Sequence, residues 1–208
     1  MSLVVTGIDK RLGGKVVLAG ASLTCARGEL VALTGDNGAG KSTLLRIVAG
    51  ELLPDAGRMT LDGTPLDTAH AAARRELGYV PEGACPLPLL TVAELAALVA
   101  ALKGAPPAAE SLVERLGVGP FLCERMGSLS LGQRRRACLL LALVGAPWLL
   151  VLDEPTNGLD AEGVAMLAEL LTEHAGAGGA ALFATHELDF ADGLGARRLA
   201  LAGGRIVE

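Results

Sequence analysis

The sequence predicts an α/β fold: a mainly parallel sheet with an N-terminal antiparallel β-subdomain and a helical subdomain. Three observations carry this. The runs Leu30-Val31-Ala32-Leu33, Trp148-Leu149-Leu150-Val151-Leu152 and Ala180-Ala181-Leu182-Phe183-Ala184 lack polar alternation, as strands buried on both faces of a parallel sheet require. The first run leads straight into a Gly-rich loop and then a helical pattern. From about residue 90 to 127 the apolar spacing is helical. At 208 residues the chain can bury one real core and is too short for two. It therefore reads as one domain, 1–208, with the helical subdomain at about 83–140 inserted in the α/β core.

Ahead of the Gly-rich loop, residues 3–8, 16–18 and 21–26 read as short strands separated by Gly13-Gly14 and Gly20. The helix after the loop is stopped by Gly50. Arg58-Met59-Thr60-Leu61 enters a tight turn at Asp62-Gly63, and residues 77–80 form a strand ended by Pro81. Residues 91–102 and 108–116 are amphipathic helices parted by Gly104-Ala105-Pro106-Pro107. Residues 199–202 and 205–207 close the chain as a hairpin around Gly203-Gly204.

Composition narrows the class. With 51% hydrophobic and 20% charged residues the chain is a compact globule, and its net charge of −5 argues against a nucleic-acid partner. A mean hydropathy of +0.46 raises the question of a membrane span. The best stretch, 137–152, is cut by Gly145-Ala146-Pro147 into pieces shorter than the ~20 residues a spanning helix needs. Asp9, Lys10 and Arg11 arrive too early for a signal peptide, so the chain reads as cytosolic. Cys25, Cys85, Cys123 and Cys138 form no CxxC pair and read as small apolar fillers.

Residues 35–43, Gly-Asp-Asn-Gly-Ala-Gly-Lys-Ser-Thr, satisfy GxxxxGK[ST] with a strand before and a helix after. Gly35, Gly38 and Gly40 let the backbone, with Asp36, Asn37 and Ala39 between them, turn its N–H groups toward phosphate oxygens. The helix that follows points its positive end at the same place. Lys41 supplies charge for the β- and γ-phosphates, Ser42 a hydroxyl for Mg²⁺, and Thr43 completes the loop. A nucleoside triphosphate is the ligand, on a P-loop NTPase core.

Two carboxylates, Asp153 and Glu154, stand at the C-terminal edge of the second apolar run, where α/β sheets place ligands. Asp153 suits Mg²⁺, and Glu154 suits the polarisation of an attacking water. Ser130 and Gln133 fit an S-x-x-Q capping box, and a capped helix start with Gly132 beside it is also an anion site. The run Arg134-Arg135-Arg136 reads as a solvated helix face.

GDNGAGKST (35–43), GYVPE (78–82), LSLGQ (129–133), LLVLDEPTNGLD (149–160) and FATH (183–186) stand in one order. From about residue 3 to 207 the chain thereby resembles the ATP-binding cassette ATPases. The resemblance implies a second cassette, paired head to tail, with each ATP between the phosphate loop of one subunit and Ser130–Gln133 of the other. It implies that Glu154 is the catalytic base, that His186 contacts the γ-phosphate, and that residues 157–160, ending in Asp160, cross to the partner. Glu82 replaces the usual Gln and brings a carboxylate within reach of Mg²⁺, as catalytic residue and metal ligand. A loop of this kind resembles cassettes of exporters with separate six-helix membrane chains. Leu131 stands where Gly is commonest, and Leu12 where an aromatic usually stacks on adenine. The implied function is the ATP-hydrolysing subunit of an exporter, peripheral on the inner face of the membrane, with a separate transmembrane permease subunit. The alternative is a soluble cassette driving an assembly scaffold of the iron–sulfur type.

Overall fold

The computed structural model describes residues 2–66, 71–83 and 87–207. The chain begins with β1 (Ser2–Leu12), β2 (Lys15–Ala26) and β3 (Leu30–Thr34), and then the Gly-rich loop delivers α1 (Lys41–Val48). Next come β4 (Ala56–Leu61), β5 (Thr64–Pro65), α2 (Ala71–Arg75) and β6 (Leu77–Val80). Three helices follow: α3 (Val92–Lys103), α4 (Glu110–Arg115) and α5 (Leu131–Leu143). The remainder runs β7 (Leu149–Asp153), α6 (Ala161–Gly176), β8 (Ala180–Ala184), α7 (Leu188–Gly193), β9 (Arg197–Ala202) and β10 (Arg205–Val207).

Among the described residues the strands form two sheets, ordered β2-β1-β4-β5 and β10-β9-β3-β8-β7-β6. The first is antiparallel throughout. The second is parallel except for its edge strand β10. Strands β7 and β8 are buried at every position, which is why their sequences are unbroken apolar runs. The N-terminal strands are longer than the sequence suggests. Gly20 does not end a strand: it lies within β2 at φ 79, beside a register shift, and the ladder continues past it.

Apolar packing divides at the parallel sheet. On one face Leu44, Leu45, Ile47 and Val48 of α1 pack with Val151 and Leu182 and with Leu3 and Ile8 of the antiparallel sheet. On the other face Phe183 and Leu150 pack with Leu139 and Leu140 of α5, Leu167 of α6 and Met126. Fully burying such a side chain contributes roughly 1.5–3 kcal/mol, so α1 and the loop before it are firmly seated on the sheet. Helix α3 starts at a capping box, in which Thr91 Oγ1 accepts from Glu94 N at 3.2 Å and Thr91 N donates to Glu94 Oε2 at 2.8 Å.

No helix among the described residues is long and apolar enough to cross a membrane. Of the cysteines, Cys25 and Cys138 are buried, and burial pushes the Cys25 thiol up to about 12. Cys123 is exposed rather than a core filler, because it lies in the turn after Phe121 rather than on a packed face. Cys85 lies outside the described residues.

Candidate functional site

The Gly-rich loop wraps the start of α1. Gly40 takes φ 107, and a Cβ there would lie 3.1 Å from the Val17 carbonyl oxygen and 3.2 Å from Leu18 Cδ2. Only glycine combines that backbone angle with so close an approach to β2. No side chain caps α1, so its first N–H groups face the cleft. Lys41 is buried, and its Nζ donates to the carbonyls of Gly35 (2.7 Å) and Asp36 (3.3 Å). This pins the ammonium across the loop, where a phosphate would sit. The resulting cleft of about 670 Å³ is lined by Val17, Asn37, Gly38, Gly40, Lys41, Ser42, Thr43, Glu82, Glu154 and His186. Asp36 and Ala39, with Gly35, line the opposite side of the loop in a second cavity of about 590 Å³.

The acidic end of the site comes from β7 and β8. Asp153 is paired with Ala184 in the sheet, and Glu154 N donates to the Ala184 carbonyl at 3.0 Å. Glu154 takes φ 46, a left-handed angle unusual for a non-glycine residue, and this turns its carboxylate from the sheet into the cleft. His186 Nδ1 lies 2.9 Å from Glu154 Oε2, an ion-pair distance without hydrogen-bond alignment. Beside it Thr156 Oγ1 donates to Glu187 Oε1 at 3.0 Å, and Glu187 N donates to Thr185 Oγ1 at 3.0 Å, so the two loops are laced together. Burial pushes the Asp153 carboxyl above its ordinary range. The Ser42 hydroxyl opposes that shift, while the charges of Glu82 and Glu154 add to it.

Among the described residues the buried Asp153 Oδ1 has no hydrogen-bond partner, whereas Glu154 Oε2 faces His186. An unpartnered carboxylate oxygen beside the Ser42 hydroxyl fits a divalent cation. Among the described residues no three His, Cys, Asp or Glu side chains cluster as a complete metal site. Mg²⁺ is usually held by one or two protein oxygens plus substrate phosphates and waters, and the Ser42 hydroxyl beside the Asp153 carboxylate offers such a pair.

Ser130, Gly132, Gln133 and Asp160 do not reach this cleft. They line a separate cavity of about 350 Å³. The capping box is formed on both sides, with Ser130 N to Gln133 Oε1 at 2.9 Å and Gln133 N to Ser130 Oγ at 3.2 Å. Asp160 caps α6 through Gly163 N at 2.8 Å and pairs with Arg136 Nη2 at 3.2 Å. The Gly163 N–H first, and Arg136 second, hold its carboxyl below the ordinary range. A Cβ on Gly132 would lie 2.7 Å from the Gly158 carbonyl oxygen, so the helix start and the 157–160 loop touch backbone to backbone.

The arginine run is not a solvated face. Arg134 Nη2 donates to the Leu129 carbonyl at 3.0 Å, and Arg135 is buried. Three consecutive helical residues fan over some 200°, and α5 is apolar nearly all round after them, so one of the three has to point inward. That was the available signal for Arg135. Val17, which lines the cleft from β2, carried none. Leu12 is exposed and does not line the cleft.

The ABC transporter family model matches residues 18–157. The chain is 37% identical over 184 residues to the cytochrome c biogenesis ATP-binding export protein CcmA of Nitrosococcus oceani, covering 88% of this chain and 85% of that protein. It is 35% identical over 210 residues to the Nod factor export ATP-binding protein I of a Rhizobium species, covering 99% of this chain and 69% of that protein. A solved ATP-binding subunit of an ABC transporter superposes with a TM-score of 0.91 at 28% identity, covering 99% of this chain and 88% of that one. The fold is also that of a dimeric ATP-binding cassette bound to ADP and Pi, with a TM-score of 0.85 at 24% identity over 99% of this chain and 97% of the other. With the phosphate loop, the paired acids and the LSLGQ helix start in place, the chain belongs to the ABC transporter family as an ATP-binding subunit.

Proposed function

We propose that this ATPase subunit powers an exporter, working as one of a pair of cassettes beneath a separate membrane-spanning chain at the inner face of the membrane. The observation that carries the site assignment is the shared cleft: the phosphate loop, Glu82, Glu154 and His186 line one cavity. Residues 35–43 wrap the triphosphate, with Lys41 on the β- and γ-phosphates. Ser42, Asp153 and Glu82 would hold Mg²⁺, which would supply neutralisation of the triphosphate charge there. Glu154 accepts the proton of the attacking water, and His186 presents its imidazole to the γ-phosphate. Ser130, Gly132, Gln133 and Asp160 act on the partner's nucleotide, since within one chain they open on a different cavity. Export-protein names among relatives at 35–37% identity favour transport over scaffold assembly.

A groove of about 510 Å³ beside the Glu82 loop, bordered by Tyr79, Pro81, Val99, Cys138 and Leu141, suits an apolar helical segment of the membrane chain. Leu98 and Leu102 of α3 are exposed, which gives the high hydropathy a use there. The test of the catalytic assignment is Glu154→Gln. It should keep ATP binding and lower turnover by ~10²-fold or more, and unchanged turnover would remove Glu154 from the mechanism. Glu82→Gln should lower apparent Mg²⁺ affinity and leave hydrolysis largely intact. An identical Mg²⁺ dependence in both proteins would make Glu82 a contact to the membrane chain instead.

A further inference from the structure

Helix α5 crosses β6 at unusually short range, because Gly78 has no side chain and the Ala142 carbonyl occupies the space where a Cβ would be. Arg135, Cys138 and Ala142 share that face of the helix, two turns from end to end. Arg135 is thereby carried past the C-terminal end of β6 to the point where β6 and β7 release their loops.

Among the described residues the guanidinium there makes three bonds, from Nη1 and Nε, all to backbone carbonyls. Nη1 donates to Pro81 O at 3.2 Å and to Asp153 O at 3.4 Å, and Nε donates to Asn157 O at 3.2 Å. The first two oxygens belong to the peptide groups immediately before Glu82 and before Glu154. The peptide between Asp153 and Glu154 is then held at both ends, its oxygen by Arg135 and its N–H by Ala184 O at 3.0 Å. Asn157 N donates to Glu154 O at 3.1 Å, so the turn that follows closes on the same cation. Arg135 is only 5% exposed, and a cation desolvated to that degree is tolerated only with its donors satisfied. Asp153, Glu82 and Glu154 all lie within its electrostatic reach.

We infer that Arg135 is a positioning residue for hydrolysis, a buried cation that ties the carbonyls of Pro81, Asp153 and Asn157 and so holds the segments bearing Glu82, Glu154 and Asp160 in one arrangement. The inference rests on Glu154 being the base. Its geometry asks for a planar fork: a lysine ammonium at the same place keeps the charge but cannot span three carbonyls in fixed directions.

The experiment uses the full chain with ATP and Mg²⁺, and reads steady-state hydrolysis, ATP affinity by titration, and thermal unfolding for Arg135→Lys, Arg135→Met and each combined with Glu154→Gln. Displacing a catalytic group by an ångström costs about 10²-fold. Arg135→Lys should therefore lose about 10²-fold in kcat, with ATP affinity within ~3-fold of wild type, since the phosphate loop is untouched. In the Glu154→Gln background the same change should cost nothing more. Should Arg135→Met fail to fold, Arg135→Lys, which keeps the buried charge, carries the test alone. Wild-type kcat in Arg135→Lys with a slow Glu154→Gln would overturn the positioning role while leaving the base assignment standing. Additive losses in the double variant would overturn it too. A fast Glu154→Gln would instead sink the base assignment, and this inference with it.

Discussion

Asp153 is buried at the end of β7 with one oxygen unpartnered, and its neighbours Glu82 and Glu154 repel its charge. Its pKa is raised in the folded state, so the native protein binds this proton more tightly than the unfolded chain does. Stability therefore falls as pH rises from the ordinary aspartate value through the raised one, and the ionised group is a standing cost above that window. Asp153→Asn should raise the melting temperature of the ligand-free protein near neutral pH, each kcal/mol relieved being worth about 2–4 °C in a domain of this size. The gain should vanish at acidic pH. Mg²⁺-dependent ATP affinity should fall by about 10–100-fold, the range for disturbing a metal's supporting shell. A lower melting temperature at neutral pH would refute the account. Leu12 makes a second prediction. Aromatic stacking on a base is worth about 1–3 kcal/mol, and leucine has no π-face to supply it. The phosphate-loop contacts that remain do not distinguish one base from another, so ATP should be preferred over GTP by less than about tenfold, one decade being about 1.4 kcal/mol. Competition titrations on wild type and Leu12→Tyr test this, and strong ATP preference in the wild type contradicts it.

The elements of the site differ in how openly the sequence declares them. The central strands β3, β7 and β8 were legible because burial on both faces leaves no polar alternation, and the capping box at Ser130 because it needs only two residues at fixed spacing; the same box at Thr91 and Glu94 emerges only in the structure. The extent of β1 and β2 was not, because a glycine bulge and a glycine break have the same sequence. The arginine run misled for a related reason. Charge predicts solvent at each position, and only the tertiary placement of α5 shows that Arg135 faces inward. Gly132 supplies the prediction at this scale. Its Cα rests against Gly158, and a Cβ would stand 2.7 Å from that carbonyl oxygen. Gly132→Ala should therefore destabilise the chain by about 1–3 kcal/mol, as overpacking does. Ser130→Ala should cost nearer 1 kcal/mol, the loss of a helix cap. Denaturant melts of the two variants would show whether that order holds.

At the scale of the molecule, the phosphate loop and the LSLGQ helix start open on two separate cavities of one chain. A nucleotide held by both therefore requires two chains. Ser130→Arg blocks one half of such a shared site and Glu154→Gln the other, so each variant alone should be inactive. Mixed, they should recover hydrolysis through one competent site per mixed dimer. Failure of any mixture to recover, with dimers present, would contradict shared sites. Each strand of the six-stranded sheet was foreseeable from a short stretch of sequence, though their order in the sheet was not. The split into two half-sites was not, because distance between cavities is a property of the packed chain; only the family resemblance anticipated it.

Glutamate in the left-handed region at φ 46 has a cost that glycine would not bear. Such a backbone holds roughly 1–3 kcal/mol of strain at a non-glycine residue. The residue best suited to the local conformation at 154 is therefore not the one that does chemistry there. A chain selected only for resistance to heat would drift to glycine at this position, melt later and hydrolyse nothing. Position 154 is thus where durability and turnover pull against each other.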